Sequence, residues 1–332
     1  MSLNGSIRSV VALAKRIERE EKRRANETAK RYRAMQKQEE FENGQRIVKE
    51  YDEYIELISS VHKDASEQID WNEVLEEQEP TKPILSNKHQ SLAEIKLASY
   101  KPSFFDKLFG SVSKKIKQLE NNLEKSKLND QIDFEKEQKK YETALSEWIK
   151  YQDMAKGAIS KNPKIYKEIL EYLDPFSDIK EIGTGLTVSF FENHLVVTLN
   201  ANGISVIPNF ILTQTKTGKL SKKNMPISKF NELYQDYVCG CVLRIAREVF
   251  SFLPIEFVFI NVKSELLNQA TGYLERQTIL SVAIPKQTFD RLNFEMLDPS
   301  DSMINFKHNM KFTKTKGFDV VTNLQIEEII KI

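Results

Sequence analysis

Near residue 175 the apolar residues of this chain change their spacing from three or four residues to two. A helix repeats every 3.6 residues and a half-buried strand every two, so the change confines long helices to the front of the sequence and strands to the back. The expected class is α+β: N-terminal long helices, as a helical hairpin or irregular coiled coil, then a mostly antiparallel C-terminal sheet packed on one main helix.

The front divides by its apolar stripes. Ser6 is placed to cap a helix along which Ile7, Val10, Val11, Ala14 and Ile17 recur at helical spacing. The stretch 18–24 has no apolar residue, and Ala25, Ala29, Tyr32 and Met35 continue only a thin stripe. Surface pairs such as Glu18 with Lys22 and Glu20 with Arg24 support such a helix, or a partner does. Gly44 marks an expected interruption, followed by a broader face of Ile47, Tyr51, Tyr54, Ile55, Ile58 and Val61.

Residues 1–79 are therefore read as a charged helical arm. Residues 80–101 follow as a connecting segment, since Pro80 and Pro83 remove backbone donors and disfavour helix before them. Residues 102–175 form a second helical segment with two stripes, Ile116, Leu119 and Leu123, then Tyr141, Leu145, Trp148 and Ile149, separated by the polar run 124–140. Asn162 and Pro163 open a last short helix that Asp174-Pro175 closes.

Residues 176–332 are read as the α+β domain. The runs 186–191 and 194–199 alternate as a hairpin, and further antiparallel strands are expected at 204–207 and 210–213. Residues 227–253 put Phe230, Leu233, Tyr234, Tyr237, Val238, Cys241, Val242, Ile245, Val249 and Phe250 on one wide helical face, ended by Pro254. The nearly continuous apolar runs 255–262 and 278–284 read as central strands.

The net charge of +1 conceals two opposed blocks. Residues 1–37 hold 11 Lys and Arg against 4 Asp and Glu, and residues 38–79 hold 3 against 14. Opposite blocks side by side favour antiparallel docking or head-to-tail assembly, so the arm is expected to mediate self-association or to hold a protein partner. There is no apolar run of membrane-spanning length, signal-peptide pattern or disulfide framework, and a cytoplasmic location is expected.

Two acid-free segments are candidate anion or nucleic-acid contacts. Residues 193–231 carry Lys216, Lys219, Lys222, Lys223 and Lys229; residues 302–318 carry Lys307, Lys311, Lys314 and Lys316 with Phe306, Phe312 and Phe318 between them. Lysines neutralise phosphates without reading sequence, and exposed rings stack on unpaired bases. The plainer reading makes the rings core and the lysines guards of sheet edges. Phe104, Phe105, Leu108 and Phe109 form a candidate partner-docking cluster, for which the plainer reading is a corner packing one helix on its neighbour. Too few basic residues flank it for a persuasive membrane anchor.

No cofactor is implied. Gly183-Thr-Gly185 lacks the rest of any phosphate-loop pattern, Cys239-Gly-Cys241 has the wrong spacing for a zinc pair, and no catalytic set is apparent. The expected role is that of an interaction or scaffold protein. A nonspecific nucleic-acid-binding factor is the alternative, and an enzyme with an unrecognised site is the second.

Overall fold

The computed structural model describes residues 3–177, 185–326 and 329, with side chains from Lys30 onward except that of Lys107. The chain is α+β and divides into two compact units, one of Met1–Glu67, Asp174–Ser251 and Ile255–Ile332, the other of Gln68–Leu173 with Phe252–Pro254.

The first unit opens with α1 (Leu3–Ser60), a single helix of 58 residues. It runs through Gly44 without interruption. The glycine instead permits close approach, since a Cβ there would lie 2.5 Å from Gln214 Nε2 and 3.1 Å from the Gly218 carbonyl oxygen. That neighbour is the hairpin of β3 (Phe210–Gln214) and β4 (Leu220–Asn224). Gln214 Nε2 donates to the Phe41 carbonyl at 2.8 Å, the Tyr51 hydroxyl donates to the Phe210 carbonyl at 2.7 Å, and the Tyr51 and Phe210 rings stack. The charged arm is thus built into the strand-bearing unit through its C-terminal half.

The main sheet has the order β1-β2-β5-β6-β7, from β1 (Gly185–Phe190), β2 (His194–Asn200), β5 (Phe257–Leu267), β6 (Leu274–Pro285) and β7 (Lys307–Met310). Three of its pairings are antiparallel, but β2 and β5 run parallel. A parallel pair needs a long crossover. Here the β3–β4 hairpin and α7 (Ile227–Phe252) supply it. The expected strand at 204–207 is instead a 3-10 turn, Ile204–Val206, and Pro208 separates it from β3, which leaves the main sheet.

Helix α7 is the main helix of the core. Tyr237, Val238, Val242, Ile245 and Val249 are fully buried, as are Leu195, Val197, Val258, Ile260 and Leu280 of the sheet. The Tyr234 hydroxyl meets Ser264 Oγ of β5 at 2.9 Å. Cys239 and Cys241 are buried free thiols. Burial pushes the Cys239 thiol well above its ordinary range and that of Cys241 up to about 12.

In the second unit α2 (Trp71–Glu76), α3 (Lys88–Ala98) and α6 (Pro163–Leu173) pack on α5 (Val112–Ile159), a continuous helix of 48 residues. A connecting segment was expected over 80–101, yet it contains α3. The helical hairpin is formed by α3 against α5 and not between the two stripes of α5, whose polar run 124–140 stays helical. Asn87 gives α3 no side-chain cap. Asp130 of α5 supplies one, accepting the His89 and Gln90 backbone N–H groups at 2.9 and 2.8 Å, where an anion also suits the helix dipole. At the other end of α5, Trp148 and Gln152 donate to the carbonyls of Glu77 and Val74, and Gly157 lets Ile165 of α6 approach.

Candidate docking site

The turn from α3 to α5 is organised around one carboxylate. Ser103 caps the five-residue helix α4 (Phe104–Leu108) in a reciprocal capping box with Asp106: the Asp106 N–H donates to Ser103 Oγ at 3.2 Å, and the Ser103 N–H donates to Asp106 Oδ2 at 3.1 Å. The Asp106 side chain is buried and also accepts from the Ser111 hydroxyl at 3.2 Å and the Tyr100 hydroxyl at 3.3 Å, and it pairs with Lys115. Lys115 foremost, then the Ser103 backbone, holds its carboxyl far below the usual carboxylate range. Gly110, at φ +64°, turns the chain into α5.

This frame points apolar groups outward. Phe104, Phe105, Leu108 and Phe109 are 74%, 66%, 64% and 75% exposed. The cluster does not pack one helix against another, because the polar contacts of Asp106 close the corner and leave the rings outside it. The Phe104 and Phe105 rings meet edge to face, their centroids 6.0 Å apart.

The two lysine segments lie on different sheets. Lys216 and Lys219 sit in the β3–β4 turn, and Lys222 and Lys223 on β4, where Lys222 Nζ lies 3.8 Å from the centre of the Phe210 ring. Lys307 is on β7; Lys311 pairs with Asp319 and Lys314 with Glu232. Lys311, Phe312 and Lys316 line a cleft of about 610 Å³ beside residues 266–270, bounded by the small pair β8 (Phe312–Thr313) and β9 (Gly317–Phe318). Phe306 and Phe318 are buried, so two of the three interleaved rings belong to the core.

A buried charged cluster was not anticipated. Arg244, Arg247 and Glu248 of α7 face the segment after α1. Arg244 Nε lies 2.9 Å from Glu248 Oε1, which also accepts the Ser66 N–H at 3.1 Å, and Arg244 Nη1 lies 3.3 Å from Asp64. Glu248 Oε2 and both ring nitrogens of His62 have no hydrogen-bond partner among the described residues. The available signal was an i,i+4 charged pair inside an otherwise apolar helix face. For Asp106 it was the Ser103-x-x-Asp106 capping pattern.

Among the described residues no group of three or more His, Cys, Asp or Glu is placed to hold a metal ion, and no helix is long and apolar enough to cross a membrane. A scan against protein-family models and searches of curated proteins and of solved structures return no match to the chain.

Proposed function

We propose that this protein is an interaction protein that docks through the tip of its α3–α5 hairpin. One observation carries this reading: four large apolar side chains within six residues are each 64–75% exposed while a buried carboxylate fixes the turn that presents them. Single exposed apolar residues are ordinary, but a contiguous rigid group marks a contact surface. Rigidity lowers the ordering cost of association. The exposed stretch 30–41 of α1, which spans the junction of the two opposed charge blocks, is the second element, a coiled-coil-prone segment for self-association.

The test places a photo-reactive residue at position 105 of the full chain in its host cell, with position 219 as the control. Adducts at position 105 that the control does not form are expected. Their absence at 104, 105, 108 and 109 alike would remove the docking role.

The cleft lined by Lys311, Phe312 and Lys316 supports a second reading, nonspecific nucleic-acid binding. The ion pairs of Lys311 and Lys314 work against it, because a neutralised lysine releases no counterion from a phosphate. Affinity for single-stranded oligonucleotides that falls with salt, with a slope shallower by about one in Lys316→Ala, would favour this reading.

A further inference from the structure

Resting on the docking role just proposed, we infer that the partner of the α4 tip is the surface of an anionic lipid bilayer. The argument begins with what the tip leaves for a partner. Ser103, Asp106, Ser111 and Tyr100 satisfy one another, so their side chains are already engaged within the turn. What faces outward is four apolar side chains and ammonium groups, which attract without demanding a hydrogen-bond geometry.

Charge points the same way. Residues 101–117 hold five lysines against one aspartate, and Lys115 already neutralises that aspartate. Lys101, Lys114 and Lys117 are exposed and have no ion-pair partner among the described residues. The immediate flanks of the cluster look poor in basic residues along the sequence, but the first turns of α5 start at the base of the tip and bring Lys114 and Lys117 there. Rings that enter the headgroup boundary with lysines around them are the composition of an interfacial anchor.

Position completes the case. The tip lies at the N-terminal end of α5, whereas α2 and α6 pack near its C-terminal end, roughly 60 Å away by helical rise. Within this unit, a flat surface reaches the tip without meeting those helices.

The experiment sediments the full-length protein with vesicles of phosphatidylcholine alone and of phosphatidylcholine containing phosphatidylserine. Binding at least about tenfold tighter to the anionic vesicles, weakened by salt, is expected. Phe105→Ser/Phe109→Ser should abolish binding to both, and Lys114→Ala/Lys117→Ala should remove the anionic preference alone. All these side chains are exposed, and an unchanged thermal unfolding curve certifies each variant.

A wild-type protein that stays in the supernatant overturns the inference, as does equal sedimentation of Phe105→Ser/Phe109→Ser. If vesicles fail while position 105 still cross-links to a protein, the lipid assignment falls and the docking role stands. If vesicles fail and none of positions 104, 105, 108 and 109 forms an adduct, both fall. Tip-dependent binding to single-stranded oligonucleotides without vesicle binding also overturns the lipid assignment.

Discussion

Arg247 Nη1 donates to the carbonyl oxygen of His62 at 2.8 Å and so ties the main core helix to the segment that leaves α1. The same nitrogen reaches the Lys63 carbonyl, and the next residue of the helix, Glu248, accepts the Ser66 N–H. A helix that reads as an arm is thereby anchored in the first unit, through buried charges and not only through its apolar stripe.

Glu248 is fully buried beside Arg244, so removing it leaves the buried guanidinium only the exposed Asp64, 3.3 Å away, as an ion-pair partner. Glu248→Ala is expected to destabilise the first unit by about 3 kcal/mol, because breaking a buried ion pair costs more than the pair contributes. Denaturant unfolding measures this. A loss within the scatter of surface substitutions would show that water already solvates the cluster.

Stability should decline in mild acid. Burial foremost, then Lys63 and Arg247, lowers the pKa of His62, and burial lowers that of His194, which stacks on Phe191 at 4.4 Å. Unfolded imidazoles titrate near about 6.5, so below that pH the unfolded chain takes up protons that the folded chain resists. The stabilising effect is complete above the unfolded value and is lost as pH falls toward the lowered folded values. The urea midpoint should drop between about pH 7 and pH 5, less steeply in His62→Leu.

A Cβ at Gly157 would stand 2.4 Å from Cγ1 and 2.6 Å from Cβ of Ile165, so no simple rotamer change relieves it. Alanine gains about 1 kcal/mol of helix propensity. Overpacking costs about 1–3 kcal/mol and should win. Gly157→Ala is expected to lower the melting temperature, and Gly157→Ala/Ile165→Ala should recover part of the loss.

Asp106→Ala should loosen the tip while leaving α3 and α5 intact. The carboxylate accepts the Ser103 N–H and holds Ser111, so amide hydrogen exchange should accelerate across 103–111 only. Acceleration spread over both long helices would mean that the turn supports the whole hairpin.

Phe105→Ser and Phe109→Ser should each shift stability by no more than about 0.5 kcal/mol, because little apolar surface is covered at either site. Calorimetry of the full chain checks this. A large loss at either position would place the ring in a packed interior.

Much of the architecture is legible from spacing alone. The reading 227–253 matches α7 at Ile227–Phe252, and the two apolar runs after it are the central strands β5 and β6. These elements carry their own burial pattern, and Pro254 ends the helix chemically. Strand partners are less legible, because β2 pairs with β5 across a long crossover and β3 leaves the sheet to lie on α1.

The candidate lysines were legible as acid-free stretches. The ion pairs of Lys311 with Asp319 and of Lys314 with Glu232 were not, since they join residues brought together only by folding.

The sequence by itself determined where the long helices and the central strands form, because apolar period, caps and prolines act over a few residues, but not α3 or the turn at Ile204–Val206. Only the tertiary structure decided which apolar groups are covered. Ile58 and Phe105 read alike as members of apolar clusters, yet Ile58 is buried and Phe105 stands in solvent. Burial depends on what a distant segment brings to the same place. At the α4 tip Lys115, nine residues along the chain, closes on Asp106, and no distant segment among the described residues covers the rings.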